Sequence, residues 1–91
     1  MTRTDAFKCV MAPQFLEDLA YWVGMDRKIA KKLLRLVDDT LIDPYKGLGK
    51  PEPLKYKLSG KWSRRLTQRD RMVYEVVNDE IHFEQGRYHY D

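Results

Sequence analysis

Two side chains in this sequence can carry acid–base chemistry close to a concentration of positive charge. Glu52 is one of only two acidic residues in the stretch 46–71, and His89, near the end of the chain, has an imidazole that titrates near neutral pH. The stretch also holds nine basic residues: Lys46, Lys50, Lys55, Lys57, Lys61, Arg64, Arg65, Arg69 and Arg71. Metal-free cleavage of an RNA phosphodiester needs a base for the 2′-OH proton, an acid for the leaving 5′-oxygen and a cation for the charge on phosphorus. These residue types make that chemistry feasible, although composition alone does not single it out.

The overall charge of the chain hides this concentration. The 91 residues carry a formal net charge of +3, whereas the stretch 46–71 alone carries +7. Concentrated positive charge attracts polyanions, of which nucleic acid is the most common. A solvated charged face without a partner is the alternative interpretation of the same residues.

Other catalytic chemistries lack the residues that they need. Two histidines seven positions apart and one distant cysteine form no recognised set of metal ligands, so neither a metal nor a cofactor is expected. The GLGK sequence at 47–50 lacks the length and the following hydroxyl of a phosphate-binding loop. Ser59 and Ser63 are not flanked by a nucleophile elbow. Metal-free phosphodiester chemistry is what remains.

Composition predicts one folded domain spanning residues 1–91. The chain is 43% hydrophobic and 12% aromatic, which is enough for a core and argues against disorder. The single cysteine, Cys9, provides no disulfide framework, which fits a reducing compartment, most simply the cytoplasm. The first residues contain no long apolar run, so neither a signal peptide nor a membrane span is expected.

The first half of the chain predicts a strand followed by two helices. The strand is expected at Phe7–Met11, and Pro13 marks the start of a helix that ends at Gly24. Asp26 is expected to cap a second helix that ends before Asp43 and packs one apolar stripe into the core. The stripe consists of Ile29, Leu33, Leu36, Val37 and Leu41, and the residues facing away from it are Lys28, Lys32, Arg35 and Asp39.

The second half predicts four more strands. They are expected at 54–58, 62–67, 72–77 and 81–88, with a loop at 45–53 and a tight turn at 78–79. The order predicts an α+β domain of the form β-α-α-β-β-β-β, with the N-terminal strand and two helices packed on a small antiparallel sheet. Gly86 is a candidate bulge that redirects the residues after it; the alternative is a strand that runs past the edge of the core.

Three motifs carry a resemblance to a known family. GKPEPL at 49–54, SGKWSRR at 59–65 and RYHY at 87–90, in this order, resemble the YoeB/Txe toxins of the RelE superfamily. RMVY at 71–74 and parts of both helices agree as well, so the resemblance covers about residues 10–90. The family consists of bacterial ribosome-dependent mRNA endonucleases, each paired with a YefM-type antitoxin. The resemblance therefore implies a RelE-like fold and an mRNA-cleaving toxin that inhibits translation.

The resemblance also implies roles for five residues. Glu52 corresponds to the general base, Arg71 to the phosphate-stabilising arginine and His89 to the general acid. Arg65 corresponds to a further phosphate-binding arginine, and Tyr90 to the tyrosine that completes the site. Further cations are expected to hold the backbone of mRNA or ribosomal RNA, where contacts position the protein without specifying sequence. These cations are Lys50, Lys55, Lys57, Lys61, Arg64 and Arg87.

The partners implied by the resemblance are an antitoxin, the ribosome and mRNA. A YefM/Phd-type antitoxin is expected to block or distort the site, the small ribosomal subunit to present the mRNA, and a homodimer to be one oligomeric state. Two alternatives on the same fold are a ribosome-binding module that does not cleave RNA and a ParE-like inhibitor of DNA gyrase. Glu52, Arg71 and His89 together favour the nuclease, because a pure binder needs neither an acid nor a base.

A few residues depart from the family pattern or have no role in it. Residues 1–6 form an N-terminal extension before the first strand, and Asp91 follows the tyrosine at which relatives typically end. The pair at 69–70, Arg-Asp, replaces an acidic or histidine-bearing pair, which changes the charge beside the catalytic arginine. Trp62 is expected either to pack in the core or to stack on a base, and His82 is expected to be structural.

Overall fold

The computed structural model describes residues 6–88 and shows an α+β architecture. The elements in chain order are β1 (Lys8–Met11), α1 (Pro13–Met25), α2 (Arg27–Ile42), β2 (Glu52–Pro53), β3 (Lys61–Arg65), β4 (Arg71–Val77) and β5 (Glu80–Gln85). The predicted order of elements is therefore confirmed. The expectations for His89, Tyr90, Asp91 and the first five residues of the extension lie outside the described residues. No helix within 6–88 has the length and apolar character that crossing a membrane requires.

The five strands form one sheet in the order β1-β5-β4-β3-β2. The three pairs β2–β3, β3–β4 and β4–β5 are antiparallel, but β1 pairs with β5 in parallel, with Cys9 opposite Ile81. The predicted antiparallel sheet is therefore confirmed for β2–β5, but β1, which was expected to pack on this sheet with the helices, joins its edge in parallel. The reason is that both helices follow β1 before the meander begins, and a helical connection, unlike a hairpin, allows parallel pairing.

The two helices meet at Asp26, which lies between them. Its carboxylate accepts hydrogen bonds from the backbone N–H groups of Lys28 at 3.0 Å and Ile29 at 3.4 Å, so the predicted cap of α2 is confirmed. Helix α1 continues one residue beyond Gly24, because the N–H of Asp26 still donates to the carbonyl of Trp22. The turn between the helices is thus short and brings their apolar faces onto the same side of the sheet.

The core lies between the helices and the sheet. Four residues of the predicted stripe of α2 are buried, and Ile29 packs against their edge. Phe15 of α1 contacts Phe83 of β5, with ring centroids 5.7 Å apart. The buried apolar residues that meet there are Phe15, Trp22, Ala30, Leu33, Leu36, Val37, Leu41, Leu66, Met72, Tyr74, Ile81 and Phe83. Burial of this surface stabilises the orientation of the strands that carry the candidate site.

Strand β2 is shorter than expected and begins earlier. The prediction of a strand at 54–58 is wrong, because Tyr56–Leu58 forms a short 3-10 helix. Pairing with β3 ends where the N–H of Leu54 donates to the carbonyl of Lys61 at 2.8 Å. Proline has no N–H, so Pro51 and Pro53 limit how far this edge strand can pair.

Strand β5 ends at Gln85 and contains a β-bulge, which was predicted at Gly86. Tyr74 lies opposite Phe83, whereas Val73 lies opposite Gln85, so Glu84 is the extra residue in the pairing. The bulge is therefore two residues earlier than predicted. A bulge shifts the alternation of side chains, which is why the residues after Phe83 do not continue its core-facing row.

Candidate active site

Three adjacent strands bring Glu52, Ser63 and Arg71 together. Glu52 of β2 lies opposite Ser63 of β3, and Arg65 at the end of β3 lies opposite Arg71 at the start of β4. The guanidinium of Arg71 donates from Nη1 to the carboxylate of Glu52 and, at 3.0 Å, to the hydroxyl of Ser63. Two of the predicted catalytic residues, Glu52 and Arg71, thus form an ion pair. The buried hydroxyl of Ser63 accepts a second hydrogen bond from Arg71 and helps to fix its position.

The charges around Glu52 favour its ionised form. The hydrogen bond from Arg71 lowers the pKa of Glu52 below its ordinary value, and the charges of Arg71, Arg65 and Lys55 add to the effect, while partial desolvation opposes it. An ion-paired carboxylate of lowered pKa is a weak base. The Arg71 contact therefore has to weaken before Glu52 can accept a proton efficiently.

A cleft of about 180 Å³ opens beside this ion pair. Arg69, Arg71 and Arg87 line it, and no Asp or Glu of the described residues does. The remaining lining residues are Leu54, Leu58, Ser63, Val73, Gln85 and Tyr88. Three guanidinium groups around a small cavity with apolar walls suit one phosphate group and its neighbours, because arginine binds phosphate with two parallel hydrogen bonds.

The backbone of the segment that leads to His89 is fixed by hydrogen bonds with three side chains. The N–H of Gly86 donates to Asp18 at 2.9 Å, and the indole N–H of Trp22 donates to the carbonyl of Gly86 at 2.9 Å. The N–H of Tyr88 donates to the carboxylate of Asp70 at 2.7 Å. Asp18, Trp22 and Asp70 are buried, so these bonds are shielded from water. The chain is therefore anchored from both sides immediately before the predicted acid.

Cation–π contacts hold the side chains of the same segment. The guanidinium of Arg87 lies 3.4 Å from the ring centroid of Tyr21, and that of Arg69 lies 5.6 Å from the ring centroid of Tyr88. Both arginines also line the cleft. Stacking on an aromatic face leaves the edge of a guanidinium available for hydrogen bonds, so Arg87 is oriented as well as charged.

Arg64 is buried, and the prediction that it contacts nucleic acid is wrong. Its side chain is 0% exposed and forms an ion pair with Asp39 at 2.5 Å. Its Nε donates to the hydroxyl of Tyr74 at 3.3 Å, and its remaining N–H groups donate to the carbonyls of Asp43, Lys46 and Leu48. In the motif SGKWSRR the first arginine therefore holds the loop after α2, and only the second, Arg65, is exposed. Alternation along β3 sends the two to opposite faces.

The electrostatics of Asp39 reflect this contact. Burial raises the pKa of Asp39, but the hydrogen bond from the Leu48 N–H and the contact with Arg64 outweigh it, and the pKa lies below its ordinary value. The Leu48 N–H donates to Asp39 at 2.9 Å. Asp39 was expected to face solvent; instead it joins α2 to the loop that precedes Glu52.

The other predicted RNA contacts lie on the surface in different settings. Lys55 and Lys57 are exposed around the short 3-10 helix, and Lys50 is exposed in a left-handed backbone conformation with φ +51°. Lys61 is partly buried and forms an ion pair with Glu84, which neutralises part of its charge.

Trp62 packs against the core rather than standing alone on the surface. Its ring centroid lies 5.0 Å from that of Tyr45, and the side chain is partly buried. His82 is also held in place, because its Nε2 lies 2.9 Å from a carboxylate oxygen of Glu80. These contacts agree with the structural interpretation of both residues.

Sequence reasoning missed three residues of this site: Ser63, Asp70 and Asp18. A signal was available for Asp70, because Thr67 and Asp70 have the spacing of a turn in which both side chains bind the backbone. Thr67 Oγ1 donates to Asp70 at 2.6 Å and accepts from the Asp70 N–H at 2.9 Å. No pattern pointed to Asp18, whose partner Gly86 is 68 positions away. Among residues 6–88, no cluster of His, Cys, Asp and Glu has an arrangement suited to a metal ion.

Comparison with known proteins agrees with this architecture. The family profile described as "YoeB-like toxin of bacterial type II toxin-antitoxin system" matches residues 11–90. Toxin YoeB of Streptomyces coelicolor is 50% identical over 74 residues, which cover 81% of this chain and 88% of that protein. A YoeB/ParE toxin from Agrobacterium tumefaciens superposes with a TM-score of 0.84 at 35% identity, covering 92% of this chain and all (100%) of that one.

A YoeB from Staphylococcus aureus is similar as well. One chain of its dimer structure superposes with a TM-score of 0.82 at 35% identity, covering 93% of this chain and 99% of that one. A YoeB–YefM complex from Staphylococcus aureus gives a TM-score of 0.82 at 34% identity, covering 92% of this chain and 98% of the matched chain.

The mixed sheet with two helices on one face is thus the fold of the RelE-like toxins. Within that class, the chain belongs to the YoeB-like toxins of bacterial type II toxin–antitoxin systems.

Proposed function

We propose that this toxin is a ribosome-dependent mRNA endoribonuclease whose base is Glu52 and whose acid is His89. The observation that carries the proposal is the contact of Glu52 with Arg71, supported by Ser63, beside a cleft lined by three arginines. A carboxylate and a guanidinium side by side supply a base and a cation for phosphodiester cleavage, and a protein that only binds RNA has no need of the carboxylate.

In the proposed mechanism, the substrate itself activates Glu52. A phosphate that enters the cleft competes for the hydrogen bonds of Arg71, because phosphate is a strong bidentate acceptor for guanidinium. Loss of the Arg71 contact raises the pKa of Glu52 toward its ordinary value, since that contact is the main cause of its lowered pKa. Glu52 then removes the 2′-OH proton, the 2′-oxygen attacks phosphorus, and the 5′-oxygen leaves.

Arg71 stabilises the charge on the phosphoryl oxygens during this step. Arg65, which lies opposite Arg71 on strand β3, adds a second positive charge near the phosphate. His89 donates the proton to the leaving 5′-oxygen, and Tyr90 completes the site. His89 and Tyr90 are the next two residues after Tyr88, whose backbone N–H donates to Asp70. Of the further RNA contacts proposed from sequence, Lys50, Lys55, Lys57, Lys61 and Arg87 remain, with Arg87 best placed because it lines the cleft.

The proposed partners follow from the same site. We propose that a YefM-type antitoxin neutralises this toxin, as the complex of the similar Staphylococcus aureus toxin suggests, and that the chain can form a homodimer, as that relative does. The ribosome would present the mRNA, which places the action of the toxin in the cytoplasm and requires no cofactor.

The test is in vitro translation of a defined mRNA with mapping of the new 5′ ends. The full chain is expected to cut at codons positioned by the ribosome, and Glu52→Gln and His89→Ala are each expected to slow cleavage about 100- to 10,000-fold. Glu17→Gln, a change at an exposed carboxylate on α1, and His82→Ala, the other histidine, are the matched controls and should cleave as the parent does.

The alternatives give different results in the same experiment. A ribosome-binding module that does not cleave would arrest translation equally in the parent, Glu52→Gln and His89→Ala, without new RNA ends. A gyrase inhibitor would leave translation of a preformed mRNA unaffected. Either result would overturn the nuclease assignment.

A further inference from the structure

A second, larger concave surface lies next to the candidate active site. This groove of about 660 Å³ runs between one face of α2, the loop at 48–50 and the end of β3. Leu36, which is buried, forms part of its floor, and Leu48 lies at its rim. The cations that line it are Lys28, Lys31, Lys32, Arg35, Lys50 and Arg65. We call this surface the α2 groove.

The charges of the α2 groove are not neutralised by the described part of the chain. No Asp or Glu of residues 6–88 lines it, and the ion pairs found among those residues involve other cations. Lys32 is held across the groove, because its ammonium donates to the carbonyl of Leu66 at 2.6 Å. Six cations around one groove repel each other, and the binding of a polyanion would relieve that repulsion.

The α2 groove is electrostatically continuous with the candidate active site through Arg65. This residue lines the groove and also lowers the pKa of Glu52 through its charge. Lys50, in the loop that forms the opposite wall of the groove, has a φ of +51°, a region that residues with a side chain seldom occupy. The loop is bonded to β3, because the N–H of Arg65 donates to the carbonyl of Gly49 at 2.7 Å. The backbone at 49–50 is thus held in a strained conformation between the groove and Glu52.

We infer that the α2 groove binds the phosphodiester backbone of RNA, next to the segment whose scissile phosphate lies in the active-site cleft. The inference rests on the proposed function, which supplies the identity of the polyanion. Lys28 and Arg35 are separated by about 10 Å along the axis of α2, so the row of cations spans more than one phosphate. The described lining contains no aromatic side chain on which a base could stack, so these contacts position the RNA without reading its sequence.

An acidic peptide is the other class of ligand that a basic groove can accept. RNA is favoured for two reasons. Arg65 of the groove lies opposite Arg71 in the sheet, and Arg71 lines the active-site cleft. The other cations of the groove are exposed side chains that act as separate point charges, which suits a ligand with one charge on every residue.

The test compares two double variants of the full chain that remove the same charge. The groove pair is Lys31→Gln with Arg35→Gln, and the control pair is Lys8→Gln with Arg27→Gln, whose side chains are exposed outside the groove lining. Binding of an unstructured single-stranded RNA oligonucleotide is measured by fluorescence anisotropy over a series of salt concentrations. A peptide of alternating Glu and Leu is titrated in parallel.

The groove pair is expected to weaken RNA binding several-fold and to reduce the slope of log K against log salt by about 1.4, since each lost phosphate contact on a single strand contributes about 0.7. The control pair should keep the parental slope. An unchanged slope in the groove pair, or an absence of salt-dependent RNA binding by the parent, would overturn the inference. Loss of peptide binding alone would assign the groove to an acidic peptide instead.

Cleavage is scored separately, so that the two proposals fail in different ways. Glu52→Gln should bind the oligonucleotide at least as tightly as the parent does, because Arg71 no longer pairs with a carboxylate, while losing cleavage on the ribosome. If RNA binding depends on the groove but Glu52→Gln cleaves as the parent does, the inference about the groove is supported and the assignment of Glu52 as the base is overturned.

Discussion

The carboxylate of Asp70 accepts the backbone N–H of Tyr88 at 2.7 Å, which joins the start of β4 to the segment that leads to the proposed acid. Asp70 immediately precedes Arg71, so one turn of chain fixes both the arginine that we propose binds phosphate and the segment that leads to His89. The same carboxylate accepts the hydroxyl of Thr67 at 2.6 Å. In the proposed mechanism, Asp70 is therefore a positioning residue for His89.

Removal of the Asp70 carboxylate is expected to slow cleavage more than it weakens substrate binding. Asp70→Ala frees the Tyr88 N–H, and a displacement of about 1 Å at a reacting group can cost about 100-fold in rate. Single-turnover cleavage should show the loss in the rate constant, with RNA affinity retained. Asp70→Asn keeps an acceptor oxygen and should recover most of the rate.

A matched change separates positioning from loss of stability. Thr67→Val removes the other partner of Asp70 and leaves the Tyr88 contact intact, so it should lower the melting temperature with little effect on the rate. Equal losses of rate in Thr67→Val and Asp70→Ala would contradict the positioning role.

The buried guanidinium of Arg64 is expected to be essential for stability. Arg64→Gln leaves the partly exposed Asp39 without its ion-pair partner and several carbonyls without their donors, and each buried group left without its hydrogen bond costs about 1–3 kcal/mol of unfolding free energy. Urea denaturation followed by circular dichroism measures the loss. Arg65→Gln, at the adjacent but exposed position, should change stability by no more than about 0.5 kcal/mol. Similar stabilities of the two variants would contradict the structural role.

Gly86 is expected to tolerate no side chain. A Cβ at this position would lie 2.7 Å from a methyl carbon of Leu33 in the core. Gly86→Ala should therefore cost about 1–3 kcal/mol through overpacking and should displace the segment that Trp22 and Asp18 hold.

Gly24→Ala is the control, because a Cβ there has nothing within 4 Å. Gly24 lies within α1, where alanine is favoured over glycine by up to about 1 kcal/mol. Thermal unfolding should thus shift in opposite directions for the two variants, and a stabilised Gly86→Ala would refute the close approach.

Stability is expected to fall at alkaline pH because of Tyr74. Burial raises the pKa of Tyr74 above 10.0, against the opposing effect of the Arg64 contact, and its hydroxyl donates to the carbonyl of Pro44 at 2.6 Å. Since the folded-state pKa is higher than that of the unfolded chain, the stabilising contribution is complete below about pH 10 and is lost as the pH rises through the folded-state value.

The free energy of unfolding, measured in urea between neutral and strongly alkaline pH, should therefore decrease more steeply for the parent than for Tyr74→Phe. Tyr56→Phe, at an exposed tyrosine, serves as the control and should follow the parental curve. Parallel curves for the parent and Tyr74→Phe would assign the alkaline loss to other groups.

The periodicity of the sequence determined most of the fold. The stripe from Ile29 to Leu41 and the cap at Asp26 specified α2, because both depend on local spacing and on side chains within a few positions. The alternation along β4 likewise specified a strand. The direction of β1 was not determined, because parallel pairing with β5 depends on a connection through the rest of the domain.

The candidate site divides in the same way. The family motifs pointed to Glu52, Arg65 and Arg71, and these residues lie on three neighbouring strands of the sheet. Sequence reasoning also assigned Arg64 a contact with nucleic acid, although it is buried, because which of two adjacent arginines is buried depends on the face of β3 that meets the core. Only the tertiary structure showed the contact of Asp18 with Gly86, the contact of Asp70 with Tyr88 and the α2 groove, since each joins residues far apart in sequence whose contact no local pattern encodes.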